Sequence, residues 1–159
     1  MFTAVWENWG RIDVFCANAG IADRSSLYIL DHRGSDEVPP EPDMSCTDVD
    51  YKGVVYGTQL AIHFMRKNAV PGGKIVCTAS IAGLFPFETI PEYCGAKAAV
   101  INFVRCMAPV LRVKEGITIN AVCPGIVETP IVPPDMIAAV SREWYGFRAW
   151  PVFKYNGIC

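Results

Sequence analysis

The sequence has no long hydrophobic run, no block of like charges and no clustered set of metal ligands. None of its apolar runs reaches about 18 residues without a charge or a turn, which predicts no membrane-spanning segment. The N-terminal residues lack a basic stretch followed by an apolar core, so no signal peptide is predicted. With 14 basic and 16 acidic side chains and a net charge of −2, the composition excludes a typical binder of nucleic acid or of anionic membranes. These absences favour a globular, cytoplasmic protein.

Cysteine is plentiful, but not in a pattern that binds a metal or forms a disulfide framework. The seven cysteines are odd in number, include no C-x-x-C pair and are accompanied by only two histidines. Three of them, Cys16, Cys77 and Cys123, lie in apolar stretches. The pattern predicts buried free thiols in a reducing compartment, and no metal site.

Three short apolar runs, at residues 12–17, 74–79 and 117–123, alternate with helical patterns. Apolar residues recur at helical spacing over 47–67, where Thr47 is a candidate N-cap. A longer helix is predicted to begin at Pro91 and to end or kink at Pro109. Runs this continuously apolar are typical of parallel strands covered on both faces. The order β-α-β-α-β predicts an α/β fold with a right-handed parallel sheet.

The chain is predicted to form a single domain over residues 1–159. Residues 21–46 are rich in charges and prolines, and we interpret them as a surface loop. They are not a linker, because neither flanking segment could form a core alone. Residues 130–159 contain two adjacent prolines, a short helical pattern over 137–144 and a final stretch without periodicity.

Tyr93 and Lys97 are four residues apart near the start of the predicted long helix, so both project from one face. An ammonium beside a phenol stabilises the phenolate and lowers a phenol pKa that is about 10 when unperturbed. Such a phenol can exchange a proton with a substrate hydroxyl or carbonyl near neutral pH. By itself, however, the spacing is more typical of a tyrosine and a lysine on a solvated helix face.

Ser80 follows the second apolar run, thirteen residues before Tyr93. A hydroxyl at the carboxyl end of a parallel strand faces the crevice where open α/β sheets bind ligands, although a serine there is also a common turn cap. The first run ends in Asn18-Ala19-Gly20, and the third in Pro124-Gly125-Ile126-Val127-Glu128-Thr129. Either segment alone is a turn. Together, three strand ends bring candidate ligand groups to one edge of one sheet.

In combination, these motifs resemble the short-chain dehydrogenase/reductase family, in particular its fungal members. The resemblance covers residues 11–129 and rests on N-A-G, on a serine thirteen residues before Y-x-x-x-K, and on P-G-x-x-x-T. It implies an α/β fold with three layers and a Rossmann-like parallel sheet, of which this chain contains only a part. The family's strands 4 to 6 are expected, without the first βαβαβ half, its glycine-rich T-G-x-x-x-G-x-G segment or the last strand. Residues 130–159 would form the substrate-loop region and tail.

The resemblance also implies a role for each matching residue. Tyr93 would be the general acid/base, Lys97 would lower its pKa and hold the nicotinamide ribose, and Ser80 would position the substrate oxygen. Asp50 stands where the family usually has an asparagine that supports a proton relay, so it is either a catalytic residue or an ordinary acidic residue in a first helical turn. The cofactor-binding residues implied are Asn18, Ala19, Gly20, Thr78, Tyr93, Lys97, Pro124, Gly125, Val127 and Thr129.

The function implied is that of an NAD(P)-dependent oxidoreductase that interconverts a secondary alcohol and a ketone on a small apolar substrate. The sequence does not distinguish NAD from NADP. Two alternatives stay open: cofactor-independent proton transfer, dehydration or cyclisation on the same scaffold, and a non-catalytic fragment that pairs with a partner chain. The helices at 47–67 and 91–108 correspond to those that pair subunits in relatives. A homodimer or homotetramer is therefore expected, with no nucleic acid or membrane partner.

Overall fold

The computed structural model describes residues 1–23, 32–87 and 89–127. It divides into two compact units, Met1–Cys123 and Pro124–Cys159. The first unit contains α1 (Phe2–Trp9), β1 (Val14–Ala17), α2 (Ser45–Thr47), α3 (Gly53–Met65), β2 (Gly73–Thr78), α4 (Pro91–Glu115) and β3 (Ile117–Val122). A π-helical turn (Asp48–Lys52) joins α2 to α3, and a 3-10 turn (Ile81–Gly83) follows β2. The helix predicted over 137–144 and the predicted substrate-loop region beyond 129 lie outside the described residues.

The three strands form a parallel sheet in the order β1-β2-β3, with Phe15 opposite Ile75 and Ile75 opposite Ile119. The α/β class and the parallel sheet predicted from the three apolar runs are therefore confirmed. Because the spatial order follows the chain order, right-handed crossovers place α3 and α4 on the same face. Ile75 and Ile117 are completely buried on that face, in one core with residues of both helices.

The other face of the sheet differs from the expectation that the strands are covered on both sides. Val14 is 55% exposed and Val122 is 46% exposed, and Thr118 and Asn120 are exposed as well. The reason is that both connecting helices lie on one side, and within the described ranges no element packs on the other. The described residues therefore contain two of the three expected layers, which are the sheet and the helical layer on one of its faces.

The helix predicted over 47–67 is divided into α2, the π-helical turn and α3. Thr47 is not its side-chain cap: the Thr47 N–H instead donates to Glu92 Oε1 on α4 at 2.7 Å. Helix α3 packs on the sheet through buried Ala61 and Met65. The π-helical turn before it places Asp50 inside the protein, a feature that apolar periodicity did not predict. Wide turns of this kind are frequent at functional sites.

Helix α4 begins at Pro91 as predicted, but it continues through Pro109 to Glu115, so Pro109 does not end it. By length and composition alone, α4 is the one helix in the described residues that could cross a membrane. The core helix of a soluble protein passes the same test, and α4 packs on the sheet through buried residues such as Val100 and Val104. The cytoplasmic location stays a prediction.

The side chain of Asn68 connects the loop before β2 to the segment before β1 through hydrogen bonds. Its Oδ1 accepts a hydrogen bond from the Ile12 N–H at 3.0 Å. Its Nδ2 donates to the carbonyl oxygens of Ile12 at 2.9 Å and of Gly72 at 3.2 Å. Because Asn68 and Ile12 are both buried, the amide satisfies backbone groups that water does not reach.

The six described cysteines are all free. Cys46 and Cys77 are buried as predicted, whereas Cys16 and Cys106 are exposed. Cys16 is exposed because it lies on the open face of β1, opposite in direction to its neighbour Phe15. Desolvation raises the pKa of the Cys46 thiol to about 12 and that of the Cys77 thiol to about 11, so both are protonated at neutral pH.

Candidate active site

The carboxyl ends of β1 and β2 bring the first two predicted segments together. Ala17 lies opposite Cys77 in the parallel register, so the residues that follow each strand are also neighbours. Thr78 Oγ1 donates a hydrogen bond to Asn18 Oδ1 at 2.8 Å. Asn18 and Ala19 are exposed, so this turn presents backbone and amide groups at the edge of the sheet.

Ser80 contacts both the turn that it begins and the predicted acid/base. Its Oγ accepts a hydrogen bond from the Ala82 N–H at 3.1 Å, so the cap interpretation of this serine is correct. The same side chain lies near Tyr93, which is half-buried in the first turn of α4, and this interaction acts to lower the pKa of the phenol. Of the two functions that the sequence left open for Ser80, turn capping is confirmed, and positioning of a substrate oxygen stays a prediction.

Gly83 lets the 3-10 turn approach α4 closely enough for Ser80 to lie near Tyr93. A Cβ atom at Gly83 would lie 2.7 Å from the carbonyl carbon of Lys97 and 2.8 Å from the nitrogen of Ala98. These are backbone atoms inside a helix, so they cannot move aside. The absence of a side chain at Gly83 thus determines how close Ser80 lies to α4.

Lys97 lies one turn after Tyr93, with its Nζ 5.5 Å from the centre of the tyrosine ring. Its ammonium donates to the Thr78 carbonyl oxygen at 3.0 Å and forms an ion pair with Asp50 Oδ2 at 3.0 Å. The Lys97 residue is only 4% exposed, so it is not on the solvated helix face that Y-x-x-x-K alone favoured. A lysine can be charged at this depth because the carbonyl and the carboxylate replace its hydration.

Asp50 is completely buried. Its Oδ1 accepts a hydrogen bond from the Ile21 N–H at 2.8 Å, whereas Oδ2 meets Lys97 as an ion pair without the alignment of a hydrogen bond. A Cβ atom at Gly20 would lie 3.3 Å from Asp50 Oδ2 and 3.4 Å from Lys97 Nζ. The N-A-G turn therefore packs directly on the ion pair, and Asp50 is part of the same cluster as Tyr93 and Lys97.

The pKa of Tyr93 is raised from its ordinary value, which is the opposite of the direction predicted. Burial of the phenol is the largest cause, the interaction with Ser80 acts in the lowering direction, and the Asp50 carboxylate raises the pKa further. The lowering effect expected of Lys97 on this pKa stays a prediction. The main physical reason for the raised pKa is that burial disfavours the charged phenolate, and the nearby Asp50 carboxylate acts in the same direction.

Two contacts that the sequence analysis missed hold the start of α4. Asp23 Oδ2 accepts hydrogen bonds from the N–H groups of Glu92 at 2.9 Å and Tyr93 at 3.2 Å, which caps the helix from a distant loop. Glu92 Oε1 in turn accepts from the Thr47 N–H and holds α2. The described residues 32–41 of the predicted surface loop are exposed, but its beginning is part of the site. No local signal marks Asp23, because its partners are 69 and 70 residues away.

The third predicted segment is in the other unit of the chain. Pro124, Gly125 and Val127 are described there, and Thr129 lies outside the described residues. Their cofactor-binding role stays a prediction, as do the catalytic roles of the clustered residues.

Comparison with known proteins establishes the family. The family described as short chain dehydrogenase matches residues 1–136, and the chain belongs to that family. The chain is 62% identical over 145 residues to the short-chain dehydrogenase/reductase prx6 of Penicillium rubens, a match that covers 90% of this chain and 49% of that protein. The chain therefore spans about half the length of the curated relatives it matches.

Solved structures agree with this assignment. A short-chain type dehydrogenase/reductase from Mycobacterium marinum is similar with a TM-score of 0.71 and 29% identity, over 90% of this chain and 52% of that one. The 3-oxoacyl-[acyl-carrier protein] reductase from Brucella melitensis, solved in complex with NAD, has a TM-score of 0.72 and 25% identity, over 90% of this chain and 54% of that one. These likenesses confirm the partial Rossmann-like fold and the family that the motifs suggested.

Proposed function

We propose that this chain provides the catalytic part of an NAD(P)-dependent oxidoreductase that interconverts a secondary alcohol and a ketone. The observation that carries the proposal is the convergence of Ser80, Tyr93 and Lys97 at the carboxyl end of a parallel sheet. Family membership supports the reaction class, because relatives are named dehydrogenases and reductases. A small apolar substrate is part of the proposal.

The residues at this edge of the sheet suit the nicotinamide end of a dinucleotide. The exposed turn at Asn18 and Ala19 gives a small-residue backbone surface, and Gly20 brings that surface against the Lys97–Asp50 pair. Lys97 has three N–H groups, of which one donates to the Thr78 carbonyl oxygen, so another is available for a ribose hydroxyl. When bound, the cofactor would supply or accept a hydride. NAD and NADP are equally compatible with these residues.

The contribution of the chain itself is a proton transfer. In ketone reduction, the Oη–H bond of Tyr93 breaks and a new O–H bond forms on the substrate oxygen, which Ser80 holds in place. The phenolate left behind takes up a proton from water. In alcohol oxidation the phenolate accepts the hydroxyl proton instead. The position of this half-buried phenol near Ser80 supports the proposed proton transfer.

Replacing Tyr93 by phenylalanine tests this function, because the variant keeps the ring and removes the proton donor. With NADH or NADPH and a panel of small ketones, we expect Tyr93→Phe to lose about 10²-fold or more of the reduction rate, while calorimetry still detects binding of the cofactor. Tyr56→Phe is the matched control, because Tyr56 is 62% exposed on α3. Full turnover by Tyr93→Phe would refute the role of Tyr93.

The same assays separate the two alternatives. Turnover of a substrate after complete removal of nicotinamide would favour cofactor-independent proton transfer, dehydration or cyclisation. Copurification of a partner chain in stoichiometric amount, without turnover, would favour a non-catalytic fragment.

The proposed homodimer or homotetramer forms through α3 and α4. It is supported by exposed apolar side chains there: Leu60, Val110 and Val113.

A further inference from the structure

We propose that Asp50 is a positioning residue whose negative charge neutralises Lys97, so that Tyr93 stays protonated near neutral pH and the site is adapted to carbonyl reduction. This inference rests on the function proposed above and specifies its direction. Asp50 acts through Lys97 and contacts neither substrate nor cofactor in this role.

The ion pair between Asp50 and Lys97 is fully enclosed and held from both sides. Asp50 is completely buried and Lys97 is 4% exposed, so neither charge is screened by water. The Ile21 N–H holds the carboxylate, and the Thr78 carbonyl oxygen holds the ammonium. Charges in such surroundings interact more strongly than in solvent, so the carboxylate 3.0 Å from Nζ cancels most of the field of the lysine at the phenol.

Among the residues that the structure describes, the groups around Tyr93 include one cation and several groups that are acidic or neutral. Asp50 faces Tyr93 from the π-helical turn, Cys46 from α2 and Ser80 from the 3-10 turn, while Cys94 and Lys97 share α4 with it. The Asp23 carboxylate, from the loop after β1, accepts the Tyr93 N–H, and the next residue back is the buried Glu92. Lys97 is the cation of this set, and Asp50 compensates it. Burial acts in the same direction, because it also disfavours the phenolate.

The chemical consequence concerns whether the site favours ketone reduction or alcohol oxidation. A protonated phenol can donate to a ketone oxygen, whereas alcohol oxidation needs the phenolate. While the Asp50–Lys97 pair is neutral, the acid form of Tyr93 predominates over the neutral range and oxidation requires more alkaline conditions. An uncompensated lysine at the same place would stabilise the phenolate and bring oxidation toward neutral pH.

Asp50→Asn tests the inference, because asparagine has nearly the same size and still offers an oxygen to the Ile21 N–H. The readout is the ultraviolet absorbance of the phenolate during a pH titration of the purified chain, with the Tyr93→Phe titration subtracted to remove the other tyrosines. We expect the Tyr93 midpoint to fall by about one pH unit or more in Asp50→Asn. Asp48→Asn is the matched control. Asp48 is in the same π-helical turn, but it is 56% exposed and paired with Lys52, so its loss should leave the midpoint unchanged.

A second variant keeps the test decisive if Asp50→Asn does not fold. Asp50→Asn combined with Lys97→Met replaces the pair by a neutral one, and circular dichroism would verify its fold. If the native Asp50–Lys97 pair is neutral as a whole, the double variant should have the same Tyr93 titration midpoint as the unmodified chain. A higher midpoint in the double variant would mean that Lys97 acts uncompensated, and this would overturn the inference, as would an unchanged midpoint in a folded Asp50→Asn variant.

The titration involves no turnover, so its outcome is independent of the proposed function. If ketone reduction is detected, Asp50→Asn should also move the pH profile of alcohol oxidation to lower pH by the shift seen in the titration. A normal titration response without any nicotinamide-dependent turnover would refute the proposed function and leave the charge compensation standing. Turnover with no response of either pH curve to Asp50→Asn would refute the inference alone.

Discussion

Replacing Gly83 by alanine probes how the 3-10 turn holds Ser80 against α4. The new Cβ atom would lie 2.7 Å from the Lys97 carbonyl carbon, and the turn must retreat by about 0.7 Å to restore ordinary contact at 3.4 Å. Overpacking of this kind costs about 1–3 kcal/mol of the free energy of unfolding. Ser80 would retreat with the turn, and a misplacement on the order of 1 Å can lower a reaction rate by about 10²-fold.

Urea denaturation followed by circular dichroism measures the first effect, and ketone reduction measures the second. Gly95→Ala is the matched control. Gly95 lies on the same helix, and a Cβ atom there would meet nothing within 4 Å, so alanine should stabilise α4 by up to about 1 kcal/mol. A Gly83→Ala variant as stable and as active as the unmodified chain would show that the close approach has no role in positioning Ser80.

Asn68→Ala removes three hydrogen bonds and leaves buried backbone groups unpaired, so we expect urea denaturation to show a loss of about 2–4 kcal/mol in the free energy of unfolding; an unchanged value would contradict this. Iodoacetamide at mildly alkaline pH should label exposed Cys16 and Cys106 before Cys46 and Cys77, whose pKa values are raised to about 12 and about 11; rapid labelling of the latter pair, read by mass spectrometry, would refute it. The pKa values of Cys46 and Cys77 exceed the ordinary 9.0, so the folded state holds these two protons more tightly than the unfolded state. Their contribution to the free energy of unfolding is fully present below pH 9.0 and should be lost as the pH rises through 11 to 12. Light scattering at micromolar concentration should detect a dimer or tetramer, and a monodisperse monomer would exclude the proposed interface.

Elements with strong local signals were predicted well. The three apolar runs are the three strands within one or two residues, and Pro91 begins α4 because a proline suits a first helical turn. The errors arose where a distant partner overrides a local preference. Thr47 carried a capping signal, but Glu92 takes its N–H. Pro109 carried a stop signal, but α4 continues past it and packs against the sheet with residues before and after that position.

Asp50 is a residue of the site whose surroundings the local sequence did not reveal. Its position near the start of a helix was visible in the sequence, and so was its difference from the family's usual asparagine. Its complete burial was not visible, because the π-helical turn that places it inside has no apolar periodicity of its own. The caps that Asp23 and Glu92 provide to distant helices were likewise invisible, since each joins segments far apart in the chain.

The sequence by itself determined the order of strands and helices, the parallel class of the sheet and the family, because these follow from spacing and periodicity within short segments. Only the tertiary structure decided which face of the sheet is covered and in which direction the pKa of Tyr93 is shifted. The first depends on both crossovers lying on one side of the sheet. The second depends first on burial of the phenol and then on the nearby Asp50 carboxylate. Electrostatic interactions follow distance in space and exclusion of water, and neither is written in the order of residues.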